Sequence, residues 1–171
     1  HTITSAQLLT HQGGIVHYSN GSVIRTQRTY DQPHPYKSVI LALDTFKESP
    51  LVCEPGTKHS YTTHGYILLS AVAERAAATR TVGPDGSVSW AGPSFADLVQ
   101  QRIAAPLGMA TLRPDYQWEE IPGRAVGYRG DVKKEPVRST DTDVSWKLGG
   151  GGYISTAVDM AKFGGGMLSG R

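Results

Sequence analysis

One stretch of this sequence, KHSYTTHGYILLSAVAERAA at residues 58–77, crowds two tyrosines, two histidines and two threonines against an apolar helical run. Tyr61 is the side chain there with the most to offer chemically. A phenol ionises near pH ~10, so it acts as a base only where cationic neighbours stabilise the phenolate. Otherwise it is an amphipathic ring closing a helix start, and the residue types alone leave both roles open. His59 and His64 flank Tyr61, and His11 adds a third imidazole, all capable in principle of acid–base or ligand chemistry. His59 and His64 are five residues apart and do not share a helix face, which favours structural roles. No His-Glu-x-x-His or Cys-x-x-Cys pattern occurs, so neither a metal nor a cofactor is expected. The second candidate is the run of four glycines at 149–152, preceded by Trp146 and Lys147. A glycine turn entering a helix can cradle phosphate. Here no lysine follows in the spacing that such a loop needs and no strand-rich context precedes it. A tight turn that lets backbone pass close to a neighbour fits better, with Trp146 and Lys147 packing beside it. Cys53 has no neighbour that would lower its thiol pKa and is expected to be buried and inert.

These residues need elements to hold them. ITSAQLLTH reads as a short helix capped by Thr4 or Ser5, with Leu8 and Leu9 facing inward. Glycines 13, 14 and 21 break it, and DQPHP at 31–35 rules out regular structure there. KSVILALDTFKESP returns to helical spacing, with Val39, Leu43 and Phe46 on one face and Ile40 beside them. The helix after Tyr61 places Ile67, Leu68, Ala71 and Val72 on an apolar face edged by Arg75. TVGPDGSVSW predicts a turn or short hairpin around Pro84, Asp85 and Gly86. PSFADLVQQRIAAPLGM is a helix capped by Ser94 with Asp97 three residues on, ended by Pro106. Residues 111–124 are proline-rich and read as irregular, RAVGYRG and KEPVRS as a small strand pair, and the last segment as a helix capped by Thr156 with Asp159 at its third position. Four or five helices with little strand and no βαβ alternation make a mainly α fold class, one domain over residues 1–171.

Bulk properties exclude several classes. The chain has 171 residues, 39% hydrophobic and 19% charged, with a formal net charge of +2. That is a globular composition without a long basic run, so nucleic acid is not an expected partner. No apolar stretch approaches the ~20 residues that span a bilayer. A single cysteine forbids an internal disulfide and leaves the compartment undecided. The sequence opens on His1 without an initiator methionine or a signal-peptide pattern, which reads as a processed product or an internal segment of a longer chain.

Five blocks in fixed order carry a family resemblance: ITSAQLLTHQGGIVHY, PLVCEPGTKHSYTTHGYILLSAVAERAA, FADLVQQRIAAPLGM, AVGY and SWKLGGGGYISTAVDMAKF. Together they resemble the serine β-lactamase-like, penicillin-binding-protein-like hydrolases, over nearly the whole chain. Within that group THQGGIVHY, TFKESPL and the Trp-Lys before the glycine run are most similar to the branch of the mitochondrial serine β-lactamase-like proteins and their bacterial relatives. The resemblance implies a helical lobe, with small β elements, of the α/β β-lactamase/transpeptidase-like fold. It implies attack on an amide or ester carbonyl by the serine of a Ser-x-x-Lys pair, with a motif tyrosine moving the proton. Tyr61 matches that tyrosine and is the implied catalytic residue. Thr63 stands where many members keep an asparagine. It offers a hydroxyl and no amide donor, which suits esterase or peptidase relatives better than β-lactam turnover. Thr63, Gly150, Gly151 and Gly152 are the implied substrate-binding residues, and His11 falls where the family keeps a structural histidine.

The departures matter as much. Three residues before each lysine stand His34, Asp44, Pro55, Gly130, Asp131, Val144 and Asp159, so no Ser-x-x-Lys exists in the sequence. No Lys-Thr-Gly exists either, and His-Gln-Gly at 11–13 matches the family's His-x-Gly by letter only. The expectation is therefore the helical lobe without its flanking sheet-lobe segments, inactive alone, with a small-molecule or peptide substrate for the parent protein. An apolar face exposed by those missing segments would favour a homo-oligomer or a complementary segment. A secreted, periplasmic or mitochondrial setting is implied only by the family. The alternative is a non-catalytic binding or self-assembly domain on the same scaffold.

Overall fold

The computed structural model describes residues 2–26, 36, 38–130, 135–139 and 142–170, so the expectation for DQPHP lies outside the described residues. The chain begins with α1 (Ser5–Leu9), where the Thr4 hydroxyl accepts from the Gln7 amide and the Gln7 side chain accepts from the Thr4 amide. This reciprocal cap satisfies two donors that a helix start leaves without partners. Helix α2 (Val39–Ala42) is capped by Ser38 and tightens into a 3-10 turn at Leu43–Thr45. Helix α3 (Thr63–Ala76) is the longest, and its N-cap Thr62 accepts from the Gly65 amide. Helix α4 (Phe95–Val99) has the expected Ser94–Asp97 box and widens into a π turn at Gln100–Ala104. A 3-10 turn at Ser145–Gly150 precedes α5 (Ala157–Leu168), capped by Thr156.

Strands come as three two-stranded antiparallel ribbons among the described residues. β1 (Thr79–Val82) and β2 (Val88–Ala91) pair around the predicted Pro84-Asp85-Gly86 turn. β3 (Arg113–Pro114) pairs with β6 (Tyr153–Ile154). β4 (Tyr128–Arg129) pairs with β5 (Val137–Arg138), as the sequence suggested. The β3–β6 pair corrects the irregular reading of residues 111–124. Pro114 is tolerated because a two-residue edge ribbon asks little of its missing N–H.

Helix α3 is the axis of the core. Ile67 is fully buried among Leu8, Ile15, Val16, Ala42 and Phe46, and Ala71 meets Val39 and Leu148 one turn further on. The Ser145–Gly150 turn lies across α3 so closely that a Cβ on Gly149 would stand 2.4 Å from the Tyr66 carbonyl and 2.5 Å from the Ser70 hydroxyl. Only glycine permits that approach. Three inward expectations are corrected. Leu9 is exposed, because neighbours on a helix of five residues point about 100° apart and Leu8 takes the core side. Val72 is exposed beside the buried Ala71 for the same reason. Cys53 is half-buried rather than buried, its Sγ 4.0 Å from the Lys58 carbonyl. Among the described residues no helix is long and apolar enough to cross a membrane.

Candidate functional site

The start of α3 is held by three imidazoles, two of them in the loop that follows α1. His11 adopts φ +56 and is the one non-glycine residue in the left-handed region among those described. The Thr62 amide donates to His11 Nδ1 at 3.3 Å, and the Thr63 amide donates to His17 Nδ1 at 3.2 Å. These amides belong to the orphan donors of a helix start. An Nδ1 that accepts places the proton of a neutral ring on Nε2, so His11 and His17 are fixed as that tautomer by their partners. His64 is the reverse: its Nδ1 donates to the Val16 carbonyl at 2.9 Å, which also accepts from the Thr62 hydroxyl at 2.8 Å. Asn20 completes the clamp. Its Oδ1 accepts from the His17 amide at 2.7 Å, while its Nδ2 donates to the Ser60 hydroxyl at 2.8 Å and the Tyr61 carbonyl at 3.4 Å.

Tyr61 rides on this clamp. Its side chain is 57% exposed. The ring sits 4.7 Å from the His11 ring and 5.4 Å, edge-on, from the His17 ring, centroid to centroid. Tyr66, one turn up α3, packs on His11 at 5.0 Å and donates its hydroxyl to the Leu9 carbonyl at 2.8 Å. Tyr61, Thr63, His11 and Tyr66 line a cleft of ≈ 150 Å³ whose other wall is Gly149 and Gly150. Of the sequence-derived candidates, the structure therefore brings Tyr61, Thr63 and Gly150 together. Gly151 and Gly152 do not line this cleft: Gly151 (φ +130) faces open space, and Gly152 is packed against Val144 and Leu148. Thr63 is buried beneath Gly150. His59 stands 5.7 Å from His11 and outside the cleft wall, and His64 stacks on Phe46 at 4.6 Å.

Burial, helped by neighbouring charges, disfavours protonation of His11, His17 and His64. Burial lowers the pKa of His11, with His59 adding repulsion. Burial also lowers His17, helped by Lys147 and His11. His64 is lowered by burial first, partly offset by its bond to Val16, and then by His17, Arg25 and Lys147. The result is a phenol presented over a small cleft by neutral rings whose Nδ1 atoms are already engaged. Such an arrangement presents the Tyr61 hydroxyl at the cleft with the Thr63 hydroxyl below it, and holds no activated nucleophile among the described residues. Among the described residues no group of three or more histidine, cysteine, aspartate or glutamate side chains could hold a metal ion.

His17 and Asn20 escaped sequence reasoning. Beyond the local bond between the two, their partners lie 40 or more residues away in the chain, and no local period connects them. The faint signal available was a second histidine six residues after His11, in a glycine-bounded loop.

The family profile described as Beta-lactamase matches residues 1–171. Among curated proteins, the human mitochondrial serine β-lactamase-like protein LACTB (Homo sapiens) is 35% identical over 135 residues, covering 79% of this chain and 22% of that protein. The human putative β-lactamase-like 1 is 30% identical over 129 residues, 75% of this chain and 22% of its own length. The chain thus spans about a fifth of the length of the curated relatives it matches. Among solved structures, D-amino acid amidase from Ochrobactrum anthropi SV3 superposes with a TM-score of 0.67 at 21% identity, over 99% of this chain and 45% of that one. A penicillin-binding protein from Bacillus halodurans gives 0.67 at 20% identity, over 98% and 48% respectively. At that identity the likeness establishes the fold, that of the β-lactamase/transpeptidase-type proteins.

Proposed function

Because this chain belongs to the β-lactamase family, we propose that it is the helical lobe of a serine hydrolase that opens amide or ester carbonyls through an acyl-enzyme. In this reading the Ser-x-x-Lys nucleophile is supplied by sequence outside these 171 residues. With the lysine of that pair supplying the cation that the neutral imidazoles do not, Tyr61 takes the proton from that serine and returns it to the leaving group. The carrying observation is the clamp: Tyr61 is exposed above the cleft, while the Ser60 amide before it donates to the His11 carbonyl and the backbone after it is bound by His11, His17 and Asn20. A ring used only for packing needs no such support, whereas proton transfer demands placement within a fraction of an ångström. Thr63 and Gly150 form the cleft floor and edge, and Gly151 and Gly152 are the turn that carries that edge toward α5.

The exposed apolar side chains Val158, Met160, Met167 and Leu168 on α5 support the view that this lobe packs against a further segment or another copy. The test compares two samples with a fluorophosphonate probe and with nitrophenyl esters. The intact protein containing this segment should label and turn over, and the 171-residue chain alone should do neither. Serine-dependent turnover by the 171 residues alone would overturn the division of labour. Failure of the intact protein to label would instead favour a non-catalytic binding domain, the reading that the absent Ser-x-x-Lys supports.

A further inference from the structure

A second pocket, ≈ 260 Å³, shares no residue with the Tyr61 cleft. Its walls are Tyr18, Arg25, Tyr36, Thr45, His64 and Trp146, with Val23 at one side, and none of these is acidic. His64 is the telling member. It is 98% buried (2% exposed), its Nδ1 is spent on the Val16 carbonyl, and its Nε2 has no hydrogen-bond partner among the described residues. One cation lines the pocket and a second lies beside two of its rings. Arg25 lines the pocket and has no ion pair among the described residues. Lys147 sets its Nζ 5.5 Å from the Tyr18 ring centroid and 5.0 Å from that of Trp146. Both act on His64, as does His17, and all three oppose its protonation.

Arg25 is exposed and Lys147 half-buried, and an anion entering the pocket would lie near both cations and the uncharged His64 ring. We infer that this pocket binds a small organic carboxylate, its negative end meeting Arg25 and Lys147 and its aromatic or branched body lying on Tyr18, Tyr36 and Trp146. Guanidinium matches carboxylate geometry in a way a lone ammonium does not, which gives Arg25 the orienting role. The ring-rich walls favour an organic anion over inorganic phosphate. A carboxylate beside His64 also offsets the repulsion from Arg25 and Lys147, which favours protonation of the ring as the anion binds and makes its Nε2 a donor. The assignment does not depend on the role given to Tyr61.

The test titrates the intact protein containing this segment with benzoate, with benzamide as the uncharged isostere and with inorganic phosphate, followed by calorimetry and by the His64 imidazole resonances. Benzoate should bind about tenfold or more tightly than benzamide, as expected for a charge-assisted contact. Phosphate should bind more weakly than benzoate, and the His64 titration should move to higher pH when benzoate is present. Arg25→Gln, at an exposed position that leaves the core untouched, should weaken benzoate about fivefold or more, because it removes the fork-like donor. Equal binding of benzoate and benzamide, no binding of benzoate, or affinity unchanged by Arg25→Gln would each overturn the proposal. Competition of benzoate with an ester substrate would place the carboxylate on the substrate, and undisturbed turnover would make it a separate ligand. A protein that binds benzoate but never labels with fluorophosphonate would fail the hydrolase reading and keep this one.

Discussion

Replacing Gly150 with alanine tests whether the glycine run is shaped to lie against the start of α3. The new Cβ would stand 2.4 Å from Thr63 Cγ2 and 3.2 Å from the Thr63 carbonyl. Carbon atoms settle at roughly 3.5–4.0 Å, so about 1 Å of separation has to be opened. Thr63 cannot swing aside cheaply, because a β-branched side chain in a helix has few rotamers and its amide is held by His17. The displacement therefore falls on the Ser145–Gly150 turn, which carries the buried Leu148 into the core. Overpacking of this kind costs about 1–3 kcal/mol. Gly165 is the internal control: it lies within α5, and an added Cβ meets nothing within 4 Å. There alanine should stabilise by up to about 1 kcal/mol through helix propensity. Urea unfolding of both variants, with the slope m unchanged, gives the two shifts directly. Opposite signs are expected. A neutral or stabilised Gly150→Ala would refute the packing argument, and with it the shape assigned to the cleft.

Truncating Ile67 to alanine at the centre of the core should cost about 2–5 kcal/mol, read as a lower urea midpoint; a loss below ~1 kcal/mol would mean that α3 is not the axis of the core. Thr62→Ala removes the N-cap of α3 and one of two donors to the Val16 carbonyl, for about 1–2 kcal/mol. Thr62→Ser should recover most of that loss. Stability should also fall in two steps on acidification. His11, His17 and His64 have folded pKa values below the ordinary 6.5. Their contribution is complete above 6.5 and is lost as the pH falls through the lowered values, because the unfolded chain then binds more protons. The Thr111 hydroxyl and amide, with Lys162, hold the Asp159 carboxyl down to about 2 from 3.8. Its contribution is lost between those values. Stability that rose between about pH 7 and pH 5 would contradict the neutral-histidine clamp.

The caps were legible because their chemistry is local. Ser94 with Asp97 acts within three residues as expected, and Thr156 caps its helix by accepting from the Asp159 amide. The first cap, left between Thr4 and Ser5, is Thr4 with Gln7, while the Asp159 carboxylate turns to Thr111 and Lys162 instead of back to Thr156. Legible too were the turn at Pro84-Asp85-Gly86 and the ordered blocks that placed Tyr61 beside a family motif. What the sequence hid is long-range. β3 finds β6 across some forty residues, and the Thr63 amide finds His17 across 46. Neither leaves a period to read. The glycine run at 149–152 was legible as a turn, but its seat on Tyr66 and Ser70 depends on tertiary approach alone. Leu9 and Val72 went astray because an apolar pair on a helix does not say which member turns inward.

The proposed proton transfer by Tyr61 is tested most directly by the single-turnover acylation rate of the intact protein with Tyr61 changed to phenylalanine. Phenylalanine keeps the ring contacts with His11 and His17, so folding and thermal midpoint should hold. Acylation by a nitrophenyl ester should fall about 10²–10⁴-fold, the usual worth of a positioned acid–base group. A rate within twofold of the parent protein's would show that Tyr61 only packs.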